Sequence, residues 1–352
     1  RVTVFEPRDV TTIAPDEEAP HAGGLTDHAI ARIWESMERL YRTGLHPSLA
    51  VCIRRHGRVV LHRTLGHSHG NTPQGVDEAA LRLATPSTLY NLFSASKSIT
   101  AMLVHLLDDE GVLHIDDRVA EYIPEFGVNG KEAITLRHVL AHRSGLALID
   151  NEDADIRVLA DEDEVLRRLC AARPTHAPGR RLAYHALSGG FILAEVMRRV
   201  TGKHIRTLLD ERVRGPLGMG AFQYGVPKAL WREVAVDTFT GPPPPFPVSY
   251  LLQRAFGAPA PDAVRLAASE DFLTACVPSG NLICTADEAC RFFELLLRGG
   301  TLDGVTVFSP RTIQRARIEQ SYHEYDLVLQ YPFRYGLGFM LGSKRSSVLG
   351  PD

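Results

Sequence analysis

The stretch Asn91-Leu-Phe-Ser-Ala-Ser-Lys-Ser-Ile-Thr100 decides how this chain is read. It has the form of a loop running into a helix. Ser94 and Lys97 stand three apart, so on a helix both side chains lie on one face, about one turn from each other. Apolar Ile99, Met102, Leu103, Leu106 and Leu107 follow at helical spacing. They predict a helix to about Glu110, buried on that side and stopped at Gly111. A serine in the first turn meets the positive end of the helix dipole, where free backbone N–H groups can hold a developing oxyanion. A lysine buried beside it loses solvation, so its pKa falls and it can take the serine proton. The other lysines are Lys131, Lys203, Lys228 and Lys344, and none follows a serine at that distance. Taken alone, a polar helix start with a solvated lysine explains the pair equally well. The rest of the chain has to decide.

Composition narrows the choice. The 352 residues are 44% hydrophobic and 23% charged, as expected of a globular protein with a sizeable core, and they fit one enzyme unit with two sub-domains. The net charge is −3 and the basic residues are scattered, so neither nucleic acid nor a membrane surface is an expected partner. No apolar run approaches membrane-spanning length. The five cysteines (Cys52, Cys170, Cys276, Cys284 and Cys290) are odd in number and lack paired short spacing, which argues for buried reduced thiols and a cytoplasmic setting. The chain opens at Arg1 without a methionine or an apolar signal segment, so a periplasmic or secreted setting stays open if a leader was removed.

Working outward, residues 1–25 are rich in Pro, Asp, Glu and Thr and predict an extended arm; the main domain is expected over 26–352. Thr26 caps a helix whose stripe is Ile30, Ile33, Trp34, Met37, Leu40 and Tyr41. A hairpin follows, with strands near Leu49–Arg54 and Arg58–Leu65 and His56-Gly57 at the turn. His62, His67 and His69 read as surface residues rather than metal ligands. Thr135 caps a helix expected to end at Gly145. Its His138 and His142 stand four apart, but no Glu lies between them in the zincin pattern, so a packed helix with a capping His is the better reading. An acidic helix is predicted over 151–173. Further helices are predicted through Ile192–Met197 and Ile205–Leu209. Residues 220–275 read as irregular, with Gly241–Pro247 as a rigid loop wall. A short strand then passes into a helix at Ser279–Asp287, Ser309-Pro310 opens another helix, and Tyr335–Met340 reads as a strand.

Several of these segments, in this order, resemble the serine beta-lactamase and penicillin-binding-protein family, most closely its class C branch and related esterases. They are Phe93-Ser-Ala-Ser-Lys97, Leu140-Ala-His-Arg-Ser-Gly145, Pro178-Gly179, the Tyr184 segment, Val200-Thr-Gly202, Pro216-Leu-Gly-Met219 and Ser279-Gly-Asn-Leu. The resemblance implies an α+β fold: an antiparallel sheet flanked by helices, plus a mostly helical sub-domain, with the site between them. It implies Ser94 as nucleophile and Lys97 as its base. It places Tyr184, partly as phenolate, as the group that shares the proton and passes it to the leaving group. His185, Ala186, Ser279 and Gly280 are expected to face substrate, with no cofactor and no metal.

Two departures shape the functional expectation. Ala186 stands where the family's Tyr-x-Asn motif has its amide, which weakens a beta-lactam or peptide reading and leaves ester hydrolysis intact. The family's third motif, Lys/His-[Thr/Gly]-Gly, should follow the Tyr335–Met340 strand, and Ser343-Lys344-Arg345 does not fit it. That motif and the closing helix are therefore expected beyond Asp352. The favoured function is a carboxylesterase acting on a small-molecule ester or amide through a Ser94 acyl-enzyme. The rivals are a beta-lactamase or D-Ala-D-Ala peptidase, an acyltransferase, and a non-catalytic binding module on the same fold. Association into a homo-oligomer is left open.

Overall fold

The computed structural model describes the chain except residues 150–155, 247, 251–252, 254–257, 345–349 and 351–352. Strands β2 (Ser48–Arg55) and β3 (Arg58–His69) form the predicted hairpin, and His56 and Gly57 turn it with φ of 51° and 80°. Alternation along β2 serves two helices. Val51 and Ile53 pack with Ile30, Ile33 and Trp34 of helix α1 (Asp27–Tyr41), which Thr26 caps by accepting the Ala29 N–H at 3.1 Å. Just after Ile53, Arg54 reaches helix Ala286–Leu297, donating to Glu294 at 2.6 Å and Asp287 at 3.2 Å.

The amino-terminal arm is extended but docked: β1 (Thr11–Ile13) pairs with β3, giving the order β1-β3-β2, and Val10 is buried against Tyr41 and Leu65. This covering explains a correction. His62 and His67 are each only 5% exposed, not surface residues. The His62 Nδ1 lies 2.9 Å from Asp16, and the Phe5 ring packs 4.6 Å from that of His67.

Helix α2 (Ser96–Asp109) is the axis of the second layer; every residue from Ile99 to Asp108 is buried. Leu136–Leu140, Ser188–Thr201 and Pro310–Ala316 surround it, each opening where the sequence offers a start signal or a glycine-rich entry. The helix predicted to run to Gly145 stops at Leu140, because His142 adopts φ of 57° and turns the chain out of the helix. Of the predicted acidic helix, residues 151–155 lie outside the described residues; a short turn and helix Glu162–Ala171 make up the rest.

Two further expectations change. Within 220–275, read as irregular, stand strand Gln223–Tyr224 and helices Ala260–Ala267 and Glu270–Thr274, the last capped by Ser269. The prolines that suggested irregularity sit outside these elements or at a helix start, where they are tolerated. The strand expected at Tyr335–Met340 is shifted: Pro332–Tyr335 pairs with Ser321–Tyr325, and the chain then folds back. Gly336 donates its N–H to Phe339 O at 2.8 Å and Gly338 to Leu140 O at 3.0 Å. Gly338 has φ of 94° and a Cβ there would sit 2.1 Å from Ala101, so glycine lets this turn press on α2.

Candidate active site

The turn that carries Ser94 is built by its neighbours. Phe93 takes φ of 45°, an unfavourable conformation for a bulky residue, and the 3-10 turn Phe93–Ala95 leads into α2. Ser96, fully buried, donates its hydroxyl to Phe93 O and accepts the Leu282 N–H at 2.9 Å. That one side chain ties the turn to strand Leu282–Cys284, which pairs with Tyr90–Asn91. Ser94 is left exposed at the outer edge of the turn.

Lys97 Nζ stands 3.1 Å from Ser94 Oγ and donates to Ser279 O at 2.9 Å. Among the described residues it has no carboxylate partner. Burial without a counter-charge pulls its pKa down to about 7, so a large share of the amine is free near neutrality. Tyr184, 7% exposed, places its ring 4.9 Å from Lys97 Nζ and shares a hydrogen bond with Ser94. Its phenol is pushed up to about 12, first by burial, with the Ser94 hydrogen bond opposing and Asp326 adding. Burial thus favours the protonated phenol of Tyr184, against the partial phenolate that the resemblance implies, and favours the free amine of Lys97.

The four residues expected to face substrate make these contacts. Ser279, 2% exposed, holds Lys97 through its carbonyl, while its Oγ accepts the Gly190 N–H at 2.9 Å. A Cβ on Gly190 would lie 2.2 Å from that Oγ, so the glycine permits the approach of helix Ser188–Thr201 to this loop. Gly280 is buried in the same loop, its N–H bonded to Val277 O at 2.8 Å. His185 is turned inward, 1% exposed, with Nε2 2.9 Å from Ser144 Oγ, and burial takes its pKa to about 3. Ala186 packs against the cluster formed by Tyr184, Ala147, Val328 and Tyr335. Ser279 and Gly280 thus shape the lysine's surroundings and His185 the floor.

Two residues of the site carried no such role in the sequence reading. Asp326 is fully buried and accepts the N–H groups of Tyr184 at 3.2 Å, Val328 at 2.8 Å and Leu329 at 2.9 Å, and the Tyr335 hydroxyl at 3.3 Å. It anchors the Tyr184 backbone from a loop 142 residues away, which no local pattern signals. His142 underlies Tyr184, with ring centroids 4.9 Å apart. Its signal was present in the Leu140–Gly145 motif but pointed to packing. Beside this cluster a cleft of about 720 Å³ runs along Leu146, Ala147, Ala183, Leu327 and Val328, with Arg173 and Arg181 among its polar lining.

A metal reading fits poorly at the one group of suitable donors among the described residues, Glu162, His204 and Cys276. His204 Nδ1 accepts the Arg206 N–H at 3.3 Å, which puts the ring proton on Nε2, the nitrogen 3.1 Å from Glu162. A metal would have to displace that proton.

Known proteins share this arrangement of elements. A family profile described as beta-lactamase matches residues 37–350. A Mycobacterium tuberculosis protein, esterase/beta-lactamase LipL, is 30% identical over 263 residues, which is 70% of this chain and 60% of that protein, so the chain spans well under two thirds of its length. The crystal structure of a penicillin-binding protein homolog from Caulobacter crescentus matches with a TM-score of 0.79 at 29% identity, covering 94% of this chain and 85% of that one. A family VIII carboxylesterase structure matches with a TM-score of 0.77 at 26% identity, covering 91% and 83%. With helices and antiparallel sheets disposed as in these structures, the fold is of the beta-lactamase/transpeptidase type, and the chain belongs to the beta-lactamase family.

Proposed function

We propose that this protein is a serine hydrolase that cleaves carboxylic esters of small molecules through an acyl-enzyme on Ser94. The observation that carries this reading is the enclosed Lys97 amine, 3.1 Å from Ser94 Oγ and without a counter-charge. A lysine so placed takes the serine proton as Oγ attacks the ester carbonyl. The Ser94 N–H, in the turn that opens α2, supports the oxyanion. Tyr184, protonated, gives a proton to the departing alkoxide and recovers one from the Lys97 side. Water then enters and releases the acid.

Ester rather than beta-lactam hydrolysis is supported by Ala186, which offers no side-chain amide to hold an acylamino group, and by the apolar walls of the adjacent cleft. The names of the relatives include both activities, esterase and beta-lactamase. The test is intact-mass spectrometry after brief exposure to a fluorophosphonate, with peptide mapping, followed by parallel rates on short-chain p-nitrophenyl esters and nitrocefin. One adduct on Ser94 with ester turnover exceeding nitrocefin turnover is expected. An unlabelled, folded protein, or nitrocefin as the better substrate, would overturn the reading.

A further inference from the structure

The His142 backbone is left-handed, with φ of 57°, at a buried position where glycine would fit without strain. The sequence uses glycine for that purpose three residues on, at Gly145 with φ of 83°. His56 and His323 share this conformation at more exposed positions; His142 differs in being buried, 8% exposed, with its ring packed among the side chains of the site. The ring's surroundings point to what it does there. His142 Nδ1 accepts the His185 N–H at 3.0 Å, so the neutral ring carries its proton on Nε2. The ring meets Tyr184 at 4.9 Å, Tyr335 at 5.0 Å and His185 at 5.2 Å between centroids. Together with Lys97, Thr100, Gly190 and Ser279 it lines a cavity of about 30 Å³ behind the lysine.

We propose that His142 is a positioning residue of the proton-transfer site: it fixes the Tyr184 phenol beside Lys97 and, as a neutral ring protonated at Nε2, disfavours the ammonium form of Lys97. This rests on the hydrolase reading above. Lys97, Tyr184, His185 and Tyr335 are the titratable groups facing the ring. Asp326 stands behind the two tyrosines, bonded to Tyr335 Oη and Tyr184 N–H. His176 is near enough to His185 to act on it electrostatically, and Arg143, next in the chain, is turned to Glu324. No carboxylate is paired with either His142 or Lys97 among the described residues, so nothing there offsets a positive charge on one against the other. Burial, with His185 and Lys97 close by to oppose a further positive charge, holds His142 well below the usual histidine range.

The test is the pH dependence of the second-order rate of Ser94 labelling by a fluorophosphonate, for the wild type, His142→Asn and His142→Gly. Both substitutions suit the left-handed backbone. The wild-type rate should rise with pH through about 7, the value for Lys97. In the variants this limb should move to higher pH, so that labelling at pH 7 falls by about tenfold for each unit moved and recovers above the limb. Folded variants with the wild-type limb, or with a loss uniform across pH, would overturn the proposal. Nitrogen-15 spectra of the wild-type imidazoles give a check that needs no variant. A His142 ring protonated on Nδ1, or charged, between pH 6 and 8 would sink it. A wild-type protein that is not labelled at all takes the hydrolase reading down as well, which separates the two failures.

Discussion

Two buried cations in this molecule are treated in opposite ways. Arg54, where β2 meets helix Ala286–Leu297, has a carboxylate on each side, Glu294 and Asp287, and its charge is held. Lys97, between α2 and the Ser279 loop, is given a carbonyl, a hydroxyl and aromatic faces but no carboxylate. The first arrangement fixes a helix to a sheet. The second keeps an amine reactive by leaving its charge unanswered, at a cost in stability. A missing carboxylate alone does not single out Lys97, since Lys131, 0% exposed, is likewise held only by carbonyls; what sets Lys97 apart is the Ser94 hydroxyl at 3.1 Å.

Substitutions can break this comparison. The largest effect is expected on turnover: Ser94→Ala should abolish acylation, and Lys97→Ala should cost about 10³-fold or more in ester hydrolysis, because base and nucleophile act as a unit. Initial rates on a short ester check both, and near-normal turnover by the lysine variant would refute its role. Next comes stability at the paired site. Arg54→Met removes one of the two arginines on Glu294, whose side chain is 7% exposed, and leaves it Arg298 at 2.8 Å. A loss of about 2 kcal/mol is expected by urea denaturation.

At the unpaired site the sign reverses. The Lys97 pKa of about 7 lies below its unfolded value of 10.5. Between those values the unfolded chain binds a proton that the native protein does not, so wild-type stability rises with pH across that window. The penalty is fully present below about pH 7 and is bounded by about 5 kcal/mol. Lys97→Met should therefore be inactive yet more stable at pH 7, by about 2–4 kcal/mol, with the advantage shrinking toward pH 10. Denaturant curves at pH 7 and 10 measure it, and a variant less stable than the wild type at pH 7 would end the argument. The smallest effect sharpens the local picture. Asp326→Asn keeps an acceptor for the Tyr184 N–H but removes the charge, so kcat for the ester should fall about tenfold or less while Ser94 still labels fully.

The comparison also explains what the sequence could show. Ser94, Lys97 and the apolar run behind them were legible because all three sit within one turn and the helix it opens. Tyr184 was legible only by likeness, since its place beside Lys97 depends on helix Ser188–Thr201 docking against the Ser279 loop. The contacts of Ser279 and His185 were not legible for a simple reason: a backbone carbonyl and a buried ring make them, and a residue name does not reveal which way a group points. Asp326 was invisible, its partners lying far away in the chain. The strand expected at Tyr335–Met340 was lost to two glycines, which permit the tight turn against Ala101. The helices in 220–275 were hidden by the prolines that precede them and that open the first of them.

Gly190 bears on how freely this protein can be altered. No reactive atom belongs to it, yet the gap it leaves sets the height of the Ser279 carbonyl under the lysine amine. In a library randomised across the site, tolerance at 190 would be narrower than at the exposed positions around Ser94. A single methyl added there would act as a shim, tilting the loop and detuning the amine without removing any group that takes part in the chemistry.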